Sequence, residues 1–176
     1  DAQLALLRAH PDLAGTLNNR GSLYHDQRNY AKAETLYQHA LEIQRNILGQ
    51  EHLNVAATLN NLASLYHDQG QYEEARSLYL RSLKIREAAL GSDHPDVAAS
   101  LNNLASLYQD LGEFQEARAL FGRALEIRER ILGAQHPDVG TSLEKYAALL
   151  KQIDPTAEVD ELEQRARAIR ARNRSE

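Results

Sequence analysis

The chain has 176 residues, with 25 acidic against 20 basic side chains, a formal charge of −5 and a pI near 5.8, a balance that argues against a general nucleic-acid binder, which would carry a basic face. Cysteine is absent, which excludes disulfides, thiolate metal sites and a cysteine nucleophile. No apolar run approaches the roughly 18 residues of a membrane helix and no secretory signal is visible, so the expected setting is cytoplasmic, with no membrane partner.

Methionine is absent as well, which predicts an excised or processed fragment of a longer chain. Residues 1–9, DAQLALLRA, stand where the end of a preceding helix would, and Leu4, Leu6 and Leu7 are expected to cover the first full helix as its remnant. From His10 a pattern begins that returns 42 residues later at His52, again at His94, and in weaker form at His136. Self-similarity at such a period signals a stacked repeat protein. The expected units are repeat one at 10–51, repeat two at 52–93, repeat three at 94–135, and a degenerate fourth repeat with a capping helix at 136–176.

Each unit reads as helix A, a tight turn, helix B and a short loop. In repeat three, Val97, Leu101, Leu104, Ala105 and Tyr108 make a helical stripe. Pro95 and Asp96 suit the first turn, and Gly112 suits the left-handed turn after the helix. A second stripe follows at Phe114, Ala117, Leu120, Phe121, Ala124, Leu125, Ile127 and Ile131, closed by Gly133. Neither helix can bury its stripe alone, so pairs must form and stack. Small residues recur where backbones approach, at Gly21, Ala63, Ala105 and Ala147 on the A helices and at Ala33, Ala75 and Ala117 on the B helices. Repeat one departs from the pattern at Arg20, where later copies have Leu62 and Leu104, and at Arg28, which replaces the turn glycine of Gly70 and Gly112.

The fourth unit differs further. Glu144-Lys145 replaces the Asn-Asn pair, Leu150 replaces the tyrosine, and Asp154-Pro155-Thr156 replaces the glycine turn. The last helix starts with Glu158, Asp160, Glu161 and Glu163 and ends with Arg165, Arg167, Arg170, Arg172 and Arg174, an order that complements the helix dipole. Its narrow stripe of Val159, Leu162, Ala166 and Ile169 predicts a solvated cap. The rival reading is a basic tail for nucleic acid or an acidic partner.

On a helical wheel the face of helix A away from the core carries a repeated polar row. Repeat one places Asn18, Asn19, Ser22, His25 and Asp26 there; repeat two places Asn60, Asn61, Ser64, His67 and Asp68; repeat three places Asn102, Asn103, Ser106, Gln109 and Asp110. Lys145 and Lys151 align with this row in the fourth unit. Asparagine inside a helix costs several tenths of a kcal/mol relative to alanine, so three equivalent pairs call for a compensating use. The amide both donates and accepts, which suits either a bound peptide backbone or a ladder that locks neighbouring helices. His10, His52, His94 and His136 recur at loop-to-helix junctions. They are expected to cap or pack the turn, because repeat-equivalent side chains lie too far apart to converge on one metal ion. His25-Asp26 and His67-Asp68 look like a base with its orienter, but adjacent helical residues point about 100° apart.

The motif Leu101-x-x-Leu104-Ala105-x-x-Tyr108 followed by Ala117-x-x-x-Phe121 resembles the tetratricopeptide repeat. The 42-residue period, LGSDHPDVAASLNNLASLY and RALEIRERILG are similar to the kinesin light chain type of that repeat, well over 10–135 and loosely over 136–172. The resemblance implies an all-α, right-handed α-solenoid of stacked antiparallel helix pairs whose A helices line a concave groove. It also implies that Asn19, Asn61 and Asn103 match a peptide-contacting position. Chaperone-binding relatives hold a terminal carboxylate with Lys and Arg; repeats one to three lack those cations on this face. The expected function is a scaffold or adaptor module that binds an extended peptide or partner protein in the groove. Two alternatives are a structural or self-associating spacer and a kinesin-type light chain cargo adaptor; the latter needs a heptad segment that this stretch lacks. No enzyme activity, cofactor or metal is expected, and the chain is expected to be a monomer able to associate end to end.

Overall fold

The computed structural model describes residues 11–153 and 157–173. Eight helices are found there: α1 (Pro11–Asp26), α2 (Tyr30–Leu48), α3 (Leu53–Asp68), α4 (Tyr72–Leu90), α5 (Pro95–Asp110), α6 (Phe114–Leu132), α7 (Pro137–Ile153) and α8 (Ala157–Asn173). No strand occurs among the described residues. The expectations for residues 1–9, for His10, for the Asp154-Pro155-Thr156 turn and for Arg174 lie outside them.

The helix starts are set by the recurring histidines. Nδ1 of His52, His94 and His136 accepts the backbone N–H of Asn54, Asp96 and Asp138, each at 3.1 Å. An imidazole nitrogen thus satisfies one of the orphan donors of each first turn. The A-to-B turns share one geometry. After α3, Gly70 N–H bonds His67 C=O and Gln71 N–H bonds Tyr66 C=O; after α5, Gly112 and Glu113 bond Gln109 and Tyr108 in the same way. This closure needs a left-handed residue, and Gly70 and Gly112 supply φ of 74° and 77°. Arg28 fills the same place after α1 at φ 58°, with Arg28 N–H on His25 C=O and Asn29 N–H on Tyr24 C=O. A side chain held there costs about 1–2 kcal/mol.

The chain divides into two compact units, residues 1–89 and 90–176. In the N-terminal unit, Ala33 and Tyr37 of α2 pack on Leu62 and Leu65 of α3, and Leu41 of α2 joins Val55, Ala56 and Leu59 of α3 and Ile85 of α4. Gly21 makes room for this core: a Cβ there would meet the Tyr37 ring at 2.6 Å. In the C-terminal unit, Ala105, Ala117, Phe121 and Leu149 form one cluster. Leu125, Val139, Leu143, Ala147 and Leu150 form the other, closed by Val159, Leu162, Ala166 and Ile169 of α8.

The last helix thus buries its stripe on α6 and α7, and three of its arginines pair with acids. Arg165 pairs with Glu129, Arg170 with Glu144, and Arg167 with Glu163.

Two parts of the predicted stripes need correction. Ile131 is 51% exposed, because α6 has turned that position outward in its last turn. Conversely Leu65, Leu107 and Leu149 are fully buried although they lie off the predicted A stripe. An A helix inside a stack has neighbours on more than one side, so one apolar stripe does not exhaust its buried face.

Candidate functional site

In the N-terminal unit the polar row is built by α1 and α3 side by side. Asn61 Nδ2 donates to Asn18 Oδ1 at 3.2 Å. One turn along α1, Ser22 Oγ donates to the Asn18 carbonyl at 3.3 Å and accepts the Tyr37 hydroxyl at 3.1 Å. Next, His25 meets Asp68 Oδ2 through Nε2 at 2.8 Å. The carboxylate can only accept, so Nε2 carries the proton. The His25 ring also lies against Tyr30, 5.8 Å between centroids. Both cross-helix bonds join a residue to the one 43 positions later, one repeat plus one residue.

These groups surround a recess of about 630 Å³, lined by Ser22, His25, Asp26, Arg28, Tyr30, Tyr37, Asn60, Asn61, Ser64 and Asp68. Seven residues of the predicted rows thus come together. Asn19 is exposed and does not line the recess; His67 packs its ring edge-on to Tyr72 at 5.7 Å. Arg28, Tyr30 and Tyr37 were missed by the wheel because they belong to the turn and to α2. The one signal for Arg28 was the missing turn glycine. Behind the recess, burial pushes the Tyr37 phenol up. Burial likewise pushes Tyr79 up to about 12, with its bond to Ser64 opposing the shift and Asp68 adding to it.

The C-terminal unit uses the same positions differently. Asn102 is only 3% exposed and donates through Nδ2 to Ser142 Oγ at 3.0 Å. The expectation that this amide faces away from the core is corrected: α7 covers it. Arg128, also buried, donates to the same Ser142 Oγ at 2.8 Å and to the Asp138 carbonyl at 3.0 Å. Gln109 Nε2 donates to Gln152 Oε1 at 3.0 Å, again 43 residues apart. Ser106 donates to the Asn102 carbonyl at 3.0 Å, as Ser22 does to that of Asn18, but Phe121 brings it no phenol. Asn103 is half-buried and Asp110 exposed. Lys145 is half-buried, and its amine is lowered by that burial and then by Arg128. Lys151 is taken up by Glu163 of α8 at 3.4 Å, so it does not stand as a free cation at the end of the row.

Tyr37 gives its proton to Ser22 and Ser22 gives its own to a carbonyl, so neither hydroxyl bond runs to the His25 imidazole. Among the described residues no three His, Cys, Asp or Glu side chains converge as a metal site would require, and no helix is long and apolar enough to cross a membrane.

The tetratricopeptide repeat family model matches residues 12–88, 55–129 and 96–172. No curated protein matches the chain. Among solved structures, BtubC (BKLC) from P. vanneervenii is 27% identical, with a TM-score of 0.85 over 99% of this chain and 72% of its own. A putative kinesin light chain of P. anserina with nearly identical TPR-like repeats is 29% identical, with a TM-score of 0.73 over 94% of this chain and 78% of its own. The apo form of RapI is 18% identical, with a TM-score of 0.83 over 99% of this chain and 61% of its own, a likeness of fold. The fold class is accordingly the all-α solenoid of these neighbours, with kinesin light chain-like repeats among them.

Proposed function

The chain belongs to the tetratricopeptide repeat family, a fold typical of protein–protein interaction scaffolds and generally non-catalytic, and on that premise we propose that it holds an extended segment of a protein partner along the polar face of its A helices. The observation that carries this reading is the recess between α1 and α3. Asn60, Asn61 and Ser64 offer it amide and hydroxyl groups, which can serve a peptide backbone without reading its side chains. Asp26, Asp68 and Arg28 all line it, which favours a polar segment over an apolar one. Arg28 keeps its unfavourable backbone conformation where glycine would be unstrained, and strain of this kind gathers at binding sites.

The ladder reading also has specific support. Asn18 with Asn61, and Asn102 with Ser142, tie successive A helices together. We assign Asn18 and Asn102 to holding neighbouring A helices, and, each within its own unit, Asn19, Asn60 and Asn61 with Ser22, Ser64, His25, His67, Asp26 and Asp68, and Asn103 with Ser106, Asp110 and Lys145, to a ligand-facing surface.

The test is peptide-display selection on this protein, followed by titration of a selected peptide. Each contact is worth about 0.5–1.5 kcal/mol, so Asn60→Ala should weaken binding about 2- to 10-fold with little change in the melt, whereas Ser64→Ala should also lower the melt, because it takes the partner from the buried Tyr79 hydroxyl. Selected peptides that bind the Asn60/Ser64/Arg28 triple alanine variant as tightly as the parent would sink the reading.

A further inference from the structure

The B helices carry their own register of charged contacts. In the C-terminal unit Glu129 of α6 pairs with Arg165 of α8, 36 residues on. Two repeats earlier, 84 residues back on each side, the equivalent positions are 45 and 81, and both hold arginine. The carboxylate that completes this contact in the C-terminal unit is thus replaced by a second guanidinium in the N-terminal one.

Arg45 sits in the last turn of α2, and its Nε is buried with no hydrogen-bond partner. Arg81 of α4 reaches the loop that follows α2: one guanidinium nitrogen donates to Gln50 Oε1 at 2.8 Å. Burial and then the charge of Arg81 push the Arg45 guanidinium down. Among the described residues no carboxylate pairs with Arg45. Two like charges kept together, one partly desolvated and with an unmet N–H, cost stability unless an anion joins them. Guanidinium groups present paired N–H donors that match the two oxygens of a carboxylate.

We infer that Arg45 and Arg81 form a binding site on the B-helix side for an acidic side chain of a protein partner, whose carboxylate takes the place that Glu129 fills in the later repeat. Neither arginine lines the α1–α3 recess, so this site stands or falls apart from the groove reading.

The experiment uses a capped hexaglutamate peptide and inorganic phosphate as probes at low salt. Binding is followed by the Arg45 side-chain Nε–Hε resonance and by anisotropy of the labelled peptide. Hexaglutamate should shift that resonance saturably, Arg81→Gln should weaken binding at least fivefold, and Lys84→Gln, an exposed cation on the same helix, should leave it unchanged. Arg45→Glu should abolish binding and raise the melting temperature by a degree or two, because the internal pair is restored; Arg45→Gln serves if that variant folds poorly. Equal weakening by Lys84→Gln would show undirected attraction and overturn the proposal. A resonance moved by phosphate but not by hexaglutamate would also overturn it, in favour of a free-ion site.

Discussion

In the N-terminal unit a phenol stands behind the polar row: Tyr37 reaches Ser22, and Tyr79 reaches Ser64. In the C-terminal unit Phe121 holds the equivalent place without a hydroxyl, so Ser106 makes the same bond to its own helix as Ser22 but receives no phenol. The turn after α1 carries Arg28, while the turn after α5 carries Gly112. Asn18 meets another amide beside an open recess, whereas Asn102 is sealed with Ser142 and Arg128. The later unit buries Asn102, Ser142 and Arg128 together. The earlier one leaves several polar side chains facing a space large enough for a ligand segment. Repetition of a sequence pattern therefore fixes the helices without fixing what each copy has left to offer.

The comparison can be pressed hardest through the cores. Phe121→Ala empties a ring that is 1% exposed and should cost about 3–5 kcal/mol. Stability in such an array is a sum of local and neighbour terms. Hydrogen exchange should then speed up in α5–α8 first, and uniform loss of protection over α1–α4 as well would show that the copies melt as one. A smaller effect separates the phenols. Tyr79 holds its proton to about pH 12 in the fold against about 10 in the open chain, so its contribution is intact below pH 10 and fades as pH rises to 12. That loss should be about 2–3 kcal/mol in urea titrations, and Tyr79→Phe should remove it. The smallest effect tests the turns. Arg28→Gly should raise stability by about 0.5–1 kcal/mol by chemical denaturation while weakening capture of a selected peptide. Unchanged capture would take Arg28 out of the binding face.

Much of this was legible in the residues. The period, the eight described helices, the histidine caps and the stripe of α8 all follow from local chemistry that each repeat states again. The stripe Val159, Leu162, Ala166 and Ile169 is buried as its spacing requires. What the wheel could not supply was the second neighbour of an interior helix. It treats every residue off the main stripe as solvated, so it put Asn102 outside and passed over Leu107. It also had no view across helices: His25 was weighed against adjacent Asp26, whereas its partner is Asp68, 43 residues on. Arg128 and Arg45 were unremarkable in sequence, because a charged residue on a B helix is ordinarily solvated and only the fold shows what surrounds it.

The seat of α8 looks back no further than the helix pair before α7. It takes Glu129 and Leu125 from α6, and α7 in turn takes Asn102 and Gln109 from α5. A tandem duplication of residues 94–135 would present the same four side chains to the same terminal helices. The molecule can thus lengthen by internal copying, in steps of one unit, while α8 keeps the same seat.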